Sequence, residues 1–484
     1  MTDKTVLPGF VGRRRELAAL AEELDGVRST GRGRFILVRG RRRVGKSWLV
    51  EEFVEQHQLP NVFFTATRSA TDQDLPRFAD ALVRSSLPEE ARPPGVSFAH
   101  WEAALVAAAA GATPERPSVI VVDEFPYLGE RSDDEALSIE SMFSAAWERR
   151  LSRSPVLLII VGSDLALMER LSHYGRPLYD RPTRLLIVDP LTPREIAAIA
   201  RLSPADTFDA YTVIGGLPAF AAQWRKAGNL REFLLASLSH PDSAFINAGT
   251  RILDAEFPSE TQARLVLSAI GHGERTSSGI SAATRIPPPN LDRSLKTLVD
   301  AKRIVRLEEP LSATRLRAPR YSVADPYLRF WLRFVEPALP EIERLRIEPV
   351  VARILDAWPT FRGRAVEPIL RSALERLLPH ASLPGANFVG SYWTRTNDPE
   401  VDVIGADKAR APAAVAFAGS IKWRERSRFE SSDLERLLAT AARVPGVEPA
   451  TPLIAISRTG IGASARKLSA AFGPSELLDG FPPE

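Results

Sequence analysis

Five short apolar runs punctuate the first part of the chain: Phe35–Val38, Val62–Ala66, Val119–Val122, Leu157–Val161 and Leu185–Val188. Each is mostly bounded by turn or charged residues, and each is continuously apolar rather than alternating. That is the pattern of strands in a parallel sheet covered by helices on both faces. Between them, Arg15–Leu24, Trp48–Gln56 and Leu75–Arg84 carry apolar residues at helical spacing. The alternation of the two patterns predicts an α/β fold of the doubly wound type over residues 1–200.

Beyond about Leu191 the strand pattern disappears and helical spacing dominates, which predicts a helical segment over residues 201–257. In residues 258–325, three helical stretches, Glu260–Ile270, Gly279–Ala283 and Asn290–Ala301, precede two strand-like pieces, Ile304–Leu307 and Arg320–Val323. Three helices and a hairpin in that order predict a winged helix-turn-helix, with Pro287-Pro-Pro-Asn290 ending one helix and opening the next. The aromatic stretch Tyr327–Phe334 reads as core packing. A third region, residues 326–484, combines a helix at Phe361–Leu378 with strands at Val401–Ile404, Val415–Phe417 and Leu453–Ile456, and so reads as a second α/β domain.

Composition narrows the chemistry. The 484 residues contain no cysteine, which removes disulfides, thiolate metal sites and cysteine nucleophiles together. The six histidines are scattered without i, i+3 or i, i+4 pairs, which argues against a histidine zinc site. No apolar run approaches the ~20 residues that span a bilayer, and Met1–Phe10 has no signal-peptide character, so a cytoplasmic protein without a membrane partner is expected. The 63 basic and 60 acidic residues nearly cancel, at a net charge of +3. The basic ones nevertheless concentrate at Arg39–Lys46 and again between Arg306 and Arg320, as local anion sites require.

The first basic cluster is also a motif. Gly40-Arg41-Arg42-Arg43-Val44-Gly45-Lys46-Ser47 fits G-x-x-x-x-G-K-[ST], follows the strand Phe35–Val38 and opens a helix. Its backbone amides and the helix N-terminus suit a phosphate chain, with Lys46 reaching the β- and γ-phosphates of ATP and Ser47 holding Mg²⁺. Asp123 and Glu124 end the run Val119–Val122, at the edge of the sheet where such folds bind ligands. Asp123 is the expected partner of the Mg²⁺ shell, and Glu124 the group that polarises water for hydrolysis. Gly162-Ser163-Asp164 ends the next run; if that strand lies between the other two, a polar side chain there can sense the γ-phosphate, and equally the three residues can be a simple strand-end turn.

These motifs resemble the archaeal-type ATPases of the STAND branch of AAA-related P-loop NTPases. The resemblance runs from about residue 7 to near the C-terminus. It includes Phe10-Val-Gly-Arg-Arg-Arg-Glu16-Leu17, which in that family lies near the nucleotide base, the phosphate loop, Val121-Val-Asp-Glu124, Pro177-Leu-Tyr-Asp-Arg181 and Gly215-Gly-Leu-Pro218. By resemblance, Arg181 is a phosphate-sensing arginine, and Gly216-Leu-Pro218 couples the nucleotide state to a helical lid. Arg14 and Asp164 depart from the family, which often has glutamate and usually a small polar residue there.

The C-terminal region resembles the PD-(D/E)xK nuclease fold that follows many such ATPases. Glu367, Asp402 and Lys422 stand at positions matching its metal-binding and catalytic residues, but the acid two residues before the lysine is replaced by Ser420. A neutral hydroxyl is a weaker Mg²⁺ ligand than a carboxylate, so a degenerate site is expected, unless Glu400 or Glu425 fills the gap. Together these features predict an ATP-binding, Mg²⁺-dependent ATPase acting as a switch on a winged helix and a nuclease-like domain. DNA, a protein partner or further copies of the chain are the expected associates. In the winged helix, Arg293 and Lys296 of the third helix and Arg306, Arg315, Arg317 and Arg320 of the wing are the basic residues available to DNA. The alternatives are an ATP-regulated, metal-dependent DNA nuclease and a nucleotide-binding scaffold that does not hydrolyse ATP.

Overall fold

The computed structural model describes residues 10–67, 73–129, 132–257, 261–314, 316–410, 412, 414–463 and 468–481. The chain forms two compact units, which meet in sequence between Pro190 and Leu191.

The first unit contains α1 (Arg14–Thr30), β1 (Arg34–Arg39), α2 (Lys46–His57), β2 (Asn61–Thr65), α3 (Asp74–Arg84), α4 (Trp101–Ala108), β3 (Ser118–Asp123), α5 (Asp133–Arg149), β4 (Val156–Gly162), α6 (Leu165–Arg170) and β5 (Arg184–Ile187). Its strands form a parallel sheet in the order β2-β3-β4-β1-β5. The five apolar runs are these five strands, and the α/β expectation holds. Every residue of β3 and β4 is buried.

The physical reason is visible in the side-chain alternation. Phe35 and Leu37 of β1, Ile120 and Val122 of β3, and Leu158 and Ile160 of β4 enter one core, and their intervening neighbours enter the other. The first core is built on rings: Phe64, Phe78, Trp101, Phe143 and Phe125 stand with centroids 5.0–5.7 Å apart. Register brings the strand ends together, with Thr65 opposite Asp123 and Arg39 opposite Gly162.

The second unit opens with helices α7 (Pro193–Ala200), α8 (Pro204–Ile214), α9 (Pro218–Ala227), α10 (Leu230–Leu238) and α11 (Ala244–Glu256). Helix α7 thus belongs here and not to the first unit, ten residues earlier than the boundary read from the sequence. Helices α12 (Thr261–His272), α13 (Ser277–Thr284) and α14 (Pro288–Lys296) follow, then an antiparallel pair, β6 (Val305–Glu308) and β7 (Arg320–Val323).

The chain continues through α15 (Pro326–Phe330), α16 (Leu339–Glu343) and α17 (Ile347–Arg376). It ends with β8 (Phe388–Trp393), β9 (Glu400–Ala406), β10 (Val415–Lys422), α18 (Ser431–Ala441), β11 (Leu453–Ser457), β12 (Ala470–Phe472) and α19 (Pro474–Asp479). These last strands make a mixed sheet, β12-β11-β10-β9-β8, antiparallel from β8 to β10 and parallel from β10 to β12.

The aromatic stretch beginning at Tyr327 is core. The Tyr327 hydroxyl donates to the Phe245 carbonyl at 2.6 Å, and Trp331 Nε1 donates to the Ile246 carbonyl at 2.9 Å. The close approach requires Gly249, where a Cβ would lie 2.2 Å from the Trp331 ring. Helix α17 is the largest departure from the sequence reading. It begins fourteen residues before Phe361 and runs through both Pro359 and Pro368. Each proline removes a helical hydrogen bond, yet the buried residues on both sides, from Val350 and Trp358 to Leu370 and Leu374, hold the helix by packing.

A buried charge junction ties α8 to the C-terminal sheet. Asp209 Oδ1 accepts from Trp423 Nε1 at 2.6 Å, and its Oδ2 accepts from Arg362 at 3.1 Å and Arg458 at 3.2 Å. Burial raises the Asp209 carboxyl above its ordinary value while the two guanidiniums pull it down. Arg362 also donates to Glu425 at 2.6 Å, and Arg458 to Asp206 at 2.8 Å. Asp209→Ala leaves Arg362 buried and short of a partner, so a loss of roughly 3–5 kcal/mol is expected in denaturant unfolding followed by circular dichroism. Asp206→Ala, at a half-exposed position whose arginine keeps Asp209, should cost less than about 1 kcal/mol in the same experiment.

Candidate nucleotide-binding site

The loop Gly40–Ser47 joins β1 to α2 at the carboxyl edge of the sheet. Gly40 is required by packing: a Cβ there would lie 2.2 Å from the Val188 carbonyl oxygen. Arg43 and Gly45 both have left-handed backbone, with φ of 66° and 92°, which turns the loop over the start of α2. Gly45 is the N-cap and offers no side-chain cap, so the first-turn amides of α2 point out as anion donors.

Lys46 is buried, and its ammonium donates to the Arg41 carbonyl at 3.0 Å. Burial lowers its pKa to about 8, against the opposing pull of Glu124 and Asp123. Arg42 donates to the Tyr127 hydroxyl, with its guanidinium 5.7 Å from the ring centre.

Ser47, Asp123 and Glu124 converge as the sequence suggests. Ser47 Oγ donates to Asp123 Oδ2 at 2.8 Å, and the Glu124 amide donates to Asp123 Oδ1 at 2.9 Å. Burial is the chief cause of a raised pKa at Asp123. Glu124 itself adopts φ of 50°, an uncommon conformation for a side-chain-bearing residue that turns the chain sharply at the strand end. A hydroxyl and a carboxylate are hard oxygen donors and fit magnesium, which takes one or two protein ligands beside phosphate oxygens. Among the described residues, no group of three or more acids and histidines could hold a metal by itself.

Three features add to the sequence reading. Strand β4 does lie between β1 and β3, and the side chain that uses the position is Ser163, whose hydroxyl donates to Glu124 Oε2 at 2.7 Å. Asp164 instead caps α6 by accepting from the Leu167 amide at 2.9 Å. The signal for Ser163 was its place directly after a wholly apolar strand. Arg13 was also missed: it is buried, and donates to the Val44 carbonyl at 2.8 Å and to Glu16 at 3.0 Å. Phe10 meets Trp48 of α2 edge-on at 5.6 Å. The segment from Phe10 to Leu17 therefore braces the phosphate loop from outside.

Arg181 is not brought to this cluster within one chain. It pairs with Glu148 near the end of α5 and precedes β5, whose neighbour Thr183 donates its amide to the Phe35 carbonyl at the start of β1. The phosphate loop leaves the other end of that strand, about 3.3 Å further per residue, beyond an arginine's reach. In the second unit, Gly215 has φ of 58°, the Gly216 carbonyl accepts from the Leu191 amide at 2.9 Å, and Pro218 is the first residue of α9.

Residues 9–161 match the family model of the AAA ATPase domain. Over that stretch the first unit is similar to the AAA ATPase domain, and its five-stranded parallel sheet is typical of P-loop NTPases. Residues 331–434 match a second family, described as archaea bacterial proteins of unknown function. An uncharacterized protein of Methanocaldococcus jannaschii, MJECL04, is 23% identical over 444 residues, covering 91% of this chain and 93% of its own. Among solved structures, the Walker-type ATPase PABY2304 of Pyrococcus abyssi is 18% identical, with a TM-score of 0.49 over 69% of this chain and 99% of its own. The ORC2 protein of Aeropyrum pernix is 14% identical, with a TM-score of 0.47 over 73% and 98%. At these values the structural likenesses carry no argument about function.

The carboxylates expected of a nuclease-like site belong to the second unit. Asp402 Oδ2 accepts from Ser420 Oγ and the Ile421 amide, both at 2.9 Å, and lies 3.9 Å from Lys422 Nζ. Glu367 Oε2 lies 3.6 Å from Arg371, which also donates to the Asp402 carbonyl at 3.1 Å. Burial raises the Glu367 pKa to about 7. Glu400 binds Arg320 at 2.6 Å and Glu425 binds Arg362, and among the described residues these acids form no group of three that could hold a metal. Arg320, at the start of β7, is therefore an internal ion-pair partner and not a free basic residue, and Arg315 lies outside the described residues. No described helix is long and apolar enough to cross a membrane.

Arg13→Met removes the donor from a buried carbonyl of the phosphate loop. The first unit should lose about 1–3 kcal/mol of stability in denaturant unfolding, with weakened nucleotide binding by calorimetry. Unchanged values for both would remove the bracing role.

Proposed function

We propose that the chain is a magnesium-dependent ATPase whose nucleotide state controls the arrangement of its helical, winged-helix and C-terminal regions. One observation carries the reading: Ser47, Asp123, Glu124 and Ser163 form a continuous line of contacts across the ends of three neighbouring elements. Ser47 and Asp123 would hold a magnesium ion, which when bound would supply charge neutralisation at the phosphate oxygens, and Lys46 and the α2 amides would hold the phosphates.

Glu124 is placed to orient water and take its proton, and Ser163 fixes one oxygen of that carboxylate. Arg181, at the opposite sheet edge, acts on nucleotide only when it is offered to a second copy of the chain. The Gly216-Leu-Pro218 turn leads from α8, which also bears Asp206 and Asp209 of the charge junction. A nucleotide-linked shift of α8 therefore has a stiff route into the C-terminal sheet. That sheet is read as nuclease-like without cleavage, because Ser420 supplies a hydroxyl where a third acid is needed.

Lys46→Ala should abolish ATP binding. Glu124→Gln should retain it and lower turnover by about 10²–10⁴-fold, the usual weight of a general base. Equal hydrolysis by the wild type and Glu124→Gln would sink the mechanism, and tight nucleotide binding with no wild-type turnover would favour the scaffold reading. Plasmid incubated with the protein and Mg²⁺ or Mn²⁺ should stay intact. Cleavage that disappears in Asp402→Ala would reverse the nuclease conclusion.

A further inference from the structure

A cleft of about 770 Å³ opens in the second unit between α13, the segment entering β7 and the turn after β8. None of the residues lining it is acidic. The hydroxyls of Thr276, Ser277 and Ser278 line one side, and Arg317 and Arg395 come from two other segments. Both arginines are exposed and have no hydrogen bond or ion pair among the described residues. Arg320 is different: it is buried, bound to Glu400 and Asn397, and lies 4.4 Å over the Trp393 ring, forming the wall.

Two unpaired guanidiniums and a row of hydroxyls, with no carboxylate to answer them, select a polyanion. The planar fork of arginine favours phosphate in particular. Because Arg320 covers the face of Trp393, the cleft offers no free ring on which a base could stack, so it suits backbone and not base recognition. It also does not suit a duplex. Reading the major groove requires the helix to enter a channel about 12 Å wide, whereas here Pro288 of α14 shares the cleft with Thr394, Arg395 and Asn397.

We infer that this cleft binds the sugar–phosphate backbone of a single-stranded nucleic acid, with Arg317 and Arg395 as its phosphate contacts and without base preference. The site stands apart from the ATPase chemistry and does not depend on it. The test uses the full chain without nucleotide and a fluorescein-labelled single-stranded oligonucleotide, titrated by anisotropy over a range of salt.

Arg317→Ala and Arg395→Ala should each flatten the plot of log affinity against log salt by about 0.7, and the double variant by about 1.4. The lysine variants should retain the slope, and homopolymers of thymidine and adenosine should bind alike. Wild-type affinity and slope in the double variant would overturn the inference. So would tighter binding of duplex than of strand, or capture of pyrophosphate with no binding of the strand. If Glu124→Gln hydrolyses ATP as the wild type does, the ATPase mechanism falls and this result stands unaltered.

Discussion

The carboxylate of Asp123 sits at the end of a strand with every residue buried, and both of its oxygens are already engaged. One accepts the hydroxyl of Ser47, at the start of α2; the other accepts the amide of Glu124. Parallel pairing makes this possible, because it brings the carboxyl ends of β1, β3 and β4 to one edge and lets their loops share a site. Burial gives the arrangement its chemical character by raising Asp123 and lowering Lys46, so that both groups favour a bound cation or phosphate over solvent. Arg13 extends the same constraint outward, holding the Val44 carbonyl from a segment that precedes the first helix.

The second unit uses buried charge for a different purpose. Asp209 joins one helix to a tryptophan and two arginines on three other segments, a junction that fixes geometry more than it adds stability. Around Asp402 the acids are likewise satisfied internally, by Ser420, Lys422 and Arg371. Each of the two acids thus has a cation of the chain itself beside it, Lys422 at Asp402 and Arg371 at Glu367.

Much of the first unit was legible because its strands are apolar on both faces, as a parallel sheet covered by helices requires. The phosphate loop and the acids after Val122 were legible for a related reason: their chemistry depends on neighbours in sequence or on strand ends. Helix α17 was not, since Pro359 and Pro368 oppose a helix locally and only tertiary packing overrides them. Ser163 was narrowed to a three-residue strand end, but choosing it over Asp164 required knowing where the next carboxylate lies. Arg181 shows the converse, a motif residue whose position at the far end of the sheet separates it from the loop it was grouped with.

The sequence by itself determined the parallel sheet, the phosphate loop, the paired acids and the absence of an acid at residue 420, because each is a local pattern of side chains. Tertiary structure decided which oxygens meet, how far each pKa moves, and which arginines are consumed by ion pairs. Those outcomes depend on distance and burial among residues far apart in the chain. Arg317 and Arg320 stand three residues apart with the same side chain and line the same cleft, yet one is exposed and the other is held by Glu400 and Asn397 against the Trp393 ring.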